Sequence, residues 1–339
     1  MSAWEPDVLP GYWQQTVPLG VDPDGEGELV ATLIRSDEHE TPARHAVLLV
    51  HGFTDYFFNT ELAEHFRTRG FAFYALDLHK CGRSWRKGQT PHFTNDLARY
   101  DDELERALDI IAAATNGAKV LVYGHSAGGL IVSLWLDRLQ RRGATAGKHV
   151  AGLVLNSPFL DLQGPAVLRT VGTAAIAALS RCRKKLVARG PTEGGYGTTL
   201  HRDYAGEFDY NLQWKPIGGF PVTFGWINAI RRGQGRLHRG LDVGAPNLIL
   251  RSDRSVREVS DPEKVETIQR GDAVLDVKQI ARWAGCIGNR TTIVPIADAK
   301  HDVFLSLAEP RQAAYHELGR WLDWYLAETS DAANQSERG

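Results

Sequence analysis

A mostly parallel α/β sheet with helices on both faces, interrupted by one inserted cap or lid, is the fold class this sequence predicts. Three observations predict it. The runs HAVLLV (45–50), FAFYALDL (71–78), KVLVYG (119–124) and HVAGLVLN (149–156) are continuously apolar, as strands covered on both faces are. Stretches with helical spacing separate them, and strand–helix–strand repetition means parallel pairing. The rhythm then stops after Pro158 and resumes only at APNLILRS (245–252).

The elements follow in order. YWQQTVPL and ELVATLIRS alternate like antiparallel strands, with DPDGEG as the turn between them. NTELAEHFRTRG reads as a helix whose closing Gly70 suits a position just past its end. NDLARYDDELERALDIIAAAT carries apolar residues at helical spacing, with Asn95 or Asp96 available as N-cap. GGLIVSLWLDRLQRRG is the next helix, TTIVPI (291–296) the last strand and RQAAYHELGRWLDWYLAET the closing helix. The tail SDAANQSERG is expected to be disordered. The predicted division is therefore 1–156 as the first part of the core, 157–240 as the cap, 241–329 as the second part, and 330–339 as the tail.

Composition narrows the class. The chain has 339 residues, 43% of them hydrophobic and 24% charged, as in an ordinary globular protein of one large domain or two. Its net charge of −2 makes the whole molecule no electrostatic magnet for nucleic acid. Residues 157–240 alone carry 12 Lys and Arg against 5 Asp and Glu, so that segment is the basic one. Cys81, Cys182 and Cys286 are odd in number and dispersed, which fits a reducing compartment and offers no metal pattern. The N-terminus lacks a signal peptide's basic and apolar regions. The longest uncharged apolar stretch, TVGTAAIAALS, falls far short of the ~20 residues that span a bilayer. A cytoplasmic location is expected, and no cofactor.

Between KVLVY and GLIVSLWL stands Gly124-His125-Ser126-Ala127-Gly128. Glycines flanking a serine at a strand-to-helix junction let the backbone turn sharply and lift the hydroxyl above the carboxyl edge of the sheet. The helix N-terminus behind it favours developing negative charge. This context marks Ser126 as a nucleophile rather than a helix cap. A serine hydroxyl also needs a base and a site for an oxyanion. LLVHGFTDY follows the first central strand, and the backbone N–H groups of Phe53 and Ala127 are the expected pair. His51 is read as a histidine shaping that loop.

HAVLLVHGFTDYFFNTELAEHFRTRGFAFYALDLHKCGRS and VYGHSAGGLIV resemble the α/β-hydrolases of the monoacylglycerol lipase, lysophospholipase and serine aminopeptidase group. Asp77, Gly82 and Ser84 match that group's Asp…Gly-x-Ser, whereas Lys80-Cys81 replaces its usual glycine. The resemblance covers roughly 45–157 and 245–325, and the segment between matches the group's cap in position and length. It implies a triad in the order Ser, acid, His. His301, in TTIVPIADAKHDVFLS, resembles the group's histidine. Two aspartates compete for the acid. Asp253 directly follows the strand NLILRS. Asp272 opens DAVLDVKQIARWA, which resembles the group's acid before two apolar residues and a helix. Asp272 precedes His301 by 29 residues, close to the group's interval, and Asp253 by 48. Asp272 is the choice, with RSVREVSDPEKVETIQRG as an inserted excursion, and Asp276 a third candidate.

The resemblance implies a serine esterase acting through an acyl-enzyme on small acyl esters such as monoacylglycerols or lysophospholipids. A serine in place of an aspartate nucleophile argues against the epoxide hydrolases and dehalogenases of the same fold. Amidase or peptidase action, acyl transfer, and a receptor with little turnover share the same triad. AVLRTVGTAAIAALSRCRKKL in the cap reads as an amphipathic helix. Its Arg181, Arg183, Lys184 and Lys185 either face solvent or meet an anionic lipid interface. Phe159, Tyr196, Tyr204, Trp214, Phe220, Phe224 and Trp226 are candidates to line an acyl pocket or to pack the cap's own core.

Overall fold

The computed structural model describes residues 3–36, 43–144, 147, 149–163, 166–192, 195–256 and 265–336. Nine strands form the main sheet in the spatial order β1-β2-β3-β5-β4-β6-β7-β10-β11. These are β1 (Glu5–Pro6), β2 (Tyr12–Val21), β3 (Glu28–Ser36), β4 (His45–Val50), β5 (Phe71–Asp77), β6 (Lys119–His125), β7 (Val150–Asn156), β10 (Asn247–Ser252) and β11 (Thr291–Ile296). The hairpin β2–β3 pairs antiparallel and adds to β5 antiparallel. From β5 across β4, β6, β7 and β10 to β11 every neighbouring pair is parallel. All of β5 and all of β4 beyond His45 are buried, which is why those runs show no alternation.

The helices sit where their sequences place them, with local differences. In α1 (Thr60–Arg67) the Asn59 side chain caps the Leu62 N–H at 3.1 Å. Thr68 closes this helix, so Gly70, at φ +79°, stands one residue later than expected and turns the chain into β5. The long helical stretch after Asn95 begins as a 3₁₀ turn, Leu97–Tyr100, capped by Asp96, before α2 (Asp101–Ala114). Helix α3 (Ala127–Arg142) ends on left-handed Gly143. One expectation fails at the C-terminus. Helix α8 (Ala308–Ser336) runs through most of the segment expected to be disordered. Residues 330–336, SDAANQS, contain no proline or glycine, so nothing in them stops a helix already started. Residues 337–339 lie outside the described residues.

Between β7 and β10 the described chain adds nothing to the main sheet. It forms α4 (Ala166–Arg183), a small antiparallel pair of β8 (Val187–Arg189) and β9 (Val222–Thr223), and α5 (Phe224–Leu237). After β10 come the short helices α6 (Val265–Gln269) and α7 (Val277–Trp283). Lys184 and Lys185, at the end of α4, are not free for a lipid surface. Lys184 pairs with Asp24, and Lys185 with Glu26 at 2.7 Å, both in the β2–β3 turn. Burial alone would raise the Glu26 carboxyl, but hydrogen bonds from Lys185, Lys80 and Thr90 bring it down to about 2. No described helix is long and apolar enough to cross a membrane.

Candidate active site

Ser126 sits between β6 and α3 with φ +52° and ψ −119°, a conformation that costs a non-glycine residue of order 1–3 kcal/mol. The surroundings hold it there. Its N–H donates to Asn156 O at 2.9 Å, and its own carbonyl accepts from Gly129 and Phe159 N–H. The flanking glycines are required by close approach. A Cβ at Gly124 would lie 2.8 Å from Gly129 Cα, and one at Gly128 would lie 2.3 Å from the His51 carbonyl oxygen. Both obstacles are backbone. Gly128→Ala is therefore expected to cost about 3 kcal/mol of stability, at the upper end of ordinary overpacking. Urea unfolding checks this, and a loss below 1 kcal/mol would mean the loop after β4 yields easily.

The Ser126 hydroxyl lies 2.9 Å from His301 Nε2. The Nδ1 atom of His301 lies 2.9 Å from Asp272 Oδ2, and the other Asp272 oxygen accepts the N–H groups of Val274 and Leu275 at 2.8 and 2.7 Å. Asp272 is fully buried. It reaches this place because its backbone bonds back to the end of β10: its N–H donates to Arg254 O at 3.0 Å and its carbonyl accepts from Val256 N–H at 2.9 Å. The chain between Ser255 and Asp272 thus leaves and returns at one point; residues 257–264 of the expected excursion lie outside the described residues. Asp253 continues β10 toward β11 but turns its side chain outward to Arg254 and the Asp298 N–H. Asp276 caps α7 through the Lys278 N–H. Neither contacts His301.

Phe53 and Ala127 line the cavity in which Ser126 and His301 stand. Ala127 opens α3, so its N–H has no carbonyl one turn earlier to bond. The Phe53 N–H finds no hydrogen-bond partner among the described residues. His51 shapes the loop from below: its Nδ1 lies 2.7 Å from Gly52 O and its Nε2 accepts the Leu78 N–H at 3.1 Å. Asp77, Gly82 and Ser84 form a latch between loops. Asp77 accepts from Phe57 N–H and from Arg83, Ser84 Oγ donates to Asp77 O, and a Cβ at Gly82 would strike Asp77 at 2.5 Å. Lys80, standing in place of a glycine, keeps a left-handed φ of +62°. Its buried ammonium is held by Asp22 and Glu26, both at 2.7 Å.

The cavity measures about 460 Å³. Phe159, Tyr196, Phe220 and Trp226 line it, as do Ile176 of α4 and Ile227 of α5. Tyr204 is exposed, Trp214 packs on Tyr56, and Phe224 lies outside the lining, so these three belong to packing or surface. Tyr196 stands edge-on to the His301 ring and its hydroxyl accepts the Asp302 N–H at 3.0 Å. Sequence reasoning missed a buried charged group beside the site: Lys215, Asp55 and His125. Lys215 Nζ lies 2.7 Å from Asp55 Oδ1, and His125 Nδ1 lies 3.2 Å from Asp55 Oδ2. Burial works against a charged His125 ring, but Asp302 and the bond to Asp55 raise its pKa above the usual value. A lone aspartate inside the apolar stretch GFTDYFF was the only signal, and it does not name its partner.

A parallel sheet extended at one edge by an antiparallel hairpin, with a strained serine at the β6–α3 turn, is the α/β-hydrolase fold. Residues 41–284 match the family model of the serine aminopeptidases, S33, and the chain belongs to that family. Among solved structures, a soluble variant of the monoglyceride lipase of Saccharomyces cerevisiae, in complex with a substrate analogue, is 16% identical with a TM-score of 0.63. That match covers 92% of this chain and 96% of the other. The monoacylglycerol lipase of Paleococcus ferrophilus is 18% identical with a TM-score of 0.61, over 88% and 99%. No curated protein sequence matches significantly.

Proposed function

We propose that the protein is a serine hydrolase of small carboxylic esters bearing an acyl chain, of monoacylglycerol or lysophospholipid type. The observation that carries this is the relay Ser126 Oγ, His301 Nε2, His301 Nδ1, Asp272, opening into a cavity walled by aromatic and aliphatic side chains. Ser126 Oγ attacks the ester carbon as His301 Nε2 takes its proton. Asp272 holds the Nδ1–H tautomer and stabilises the imidazolium, and the Phe53 and Ala127 N–H groups receive the oxyanion. His301 then protonates the departing alcohol, and water repeats the sequence on the acyl-enzyme. Residues 157–240 act as the cap, supplying Phe159, Ile176, Tyr196, Phe220, Trp226 and Ile227 to the acyl cavity. Contact with an anionic lipid surface would rest on exposed Arg181 and Arg183, because Lys184 and Lys185 are engaged. A cytoplasmic location is supported by three dispersed, unbonded cysteines.

The test is hydrolysis of a monoacylglycerol series by the wild-type protein, each ester offered in neutral micelles and in anionic vesicles, beside the matching amides. Turnover is expected to peak at one chain length and to exceed amide turnover. No ester turnover with a stoichiometric acyl burst would point to a receptor, and amides preferred over esters to an amidase. Equal rates in both presentations, without vesicle binding, would remove the interfacial reading.

A further inference from the structure

Four consecutive residues of the loop after β4 are tied to the segment 211–226. The Phe53 ring packs on Trp226 with centroids 4.2 Å apart. Thr54 Oγ1 accepts the Phe220 N–H at 2.9 Å. The Asp55 carboxylate binds the Lys215 ammonium at 2.7 Å, and the Tyr56 hydroxyl accepts the Asn211 N–H at 2.7 Å. The core holds this loop at its ends, through His51 and through Phe57 N–H on Asp77, and in its middle through the His125–Asp55 bond and the Phe53 ring packed on His92 with centroids 5.1 Å apart. In between, Thr54 is held at φ +53°, a left-handed conformation that a β-branched residue resists. Residues 53–55 are thus held from two sides, by the core and by the segment 211–226.

We propose that Lys215 is a positioning residue for the oxyanion site: its ion pair with Asp55 lets the seated cap hold residues 53–55 so that the Phe53 N–H faces the Ser126 hydroxyl. Lys215 itself touches none of the reacting atoms in the triad. Its charge is buried, with Phe58 and Tyr210 rings 5.6 and 5.8 Å away, and Asp55 is its one carboxylate partner among the described residues. Burial would raise the Asp55 carboxyl, yet Lys215 and His125 hold it well below the usual range, so Asp55 meets Lys215 as a carboxylate.

This rests on the Ser126 hydrolase reading, and the test separates the two. Lys215→Met alone strands a buried carboxylate, so it is read beside the double variant Lys215→Met/Asp55→Asn, in which both charges are gone. Thr54→Ala cuts the Phe220 tie without touching a buried charge. On a soluble short-chain ester, the double variant is expected to lose about 30-fold in kcat with KM within twofold, short of the ~10²–10³ lost when an oxyanion donor is removed outright. Thr54→Ala should lose severalfold in the same pattern. Affinity for a trifluoromethyl ketone, which forms the oxyanion, should fall by the same factor, while affinity for an ether analogue without a carbonyl oxygen stays constant. Unchanged kcat in both variants, or equal losses for ketone and ether, would overturn the proposal. No turnover by the wild-type protein would instead defeat the hydrolase reading.

Discussion

Alanine at Ser126 is expected to lower kcat by about six powers of ten while leaving the fold intact, as loss of a triad nucleophile does elsewhere. The hydroxyl's described side-chain contact is with His301, so its removal strands no buried backbone group. Alanine tolerates the positive φ no worse than serine does. The melting temperature should therefore move little, which separates a chemical loss from unfolding. Rates are read with the preferred ester of the chain-length series, and thermal melts with circular dichroism. A loss smaller than tenfold in a folded variant would place the nucleophile elsewhere.

Asparagine at Asp272 should cost about four powers of ten in kcat. The reasoning is geometric. One carboxylate oxygen accepts two backbone N–H groups, from Val274 and Leu275, and the other faces His301 Nδ1. In the amide, the oxygen must stay with the two donors, so the NH₂ group faces Nδ1. The ring then keeps its proton on Nε2 and has no lone pair for the Ser126 hydroxyl. Asp253→Asn and Asp276→Asn should retain near-normal turnover, since one acid serves Arg254 and the other caps α7. Near-normal turnover in Asp272→Asn together with collapse in Asp253→Asn would reverse the assignment.

These two carboxylates show how far the sequence could be read. The strands HAVLLV and TTIVPI were legible to the residue, because burial on both faces or a tight polar boundary leaves its own pattern. The sharp turn at Ser126 was legible, because glycines on both sides of it at a strand-to-helix junction mark a close approach of backbone. In the sequence Asp272 stands ahead of Asp253 by its likeness to the group's acid and its 29-residue interval to His301, and not by periodicity. Asp253 stands where a strand-end acid belongs, and only the long-range pairing of Ser255 with Asp272 brings the later residue to that place. Lys215 and Asp55 were invisible for a related reason. They lie 160 residues apart, and a buried ion pair has no periodicity. The C-terminal segment erred the other way: polar composition suggested disorder, yet no helix breaker was present.

The point where Ser255 meets Asp272 has a consequence for protein engineering. Two backbone hydrogen bonds, made by Arg254 and Val256 just past the end of β10, fasten the chain there to Asp272 itself. Asp272 keeps its place against His301 through that junction. A graft made between Arg254 and Val256 would therefore disturb both hydrogen bonds that hold Asp272.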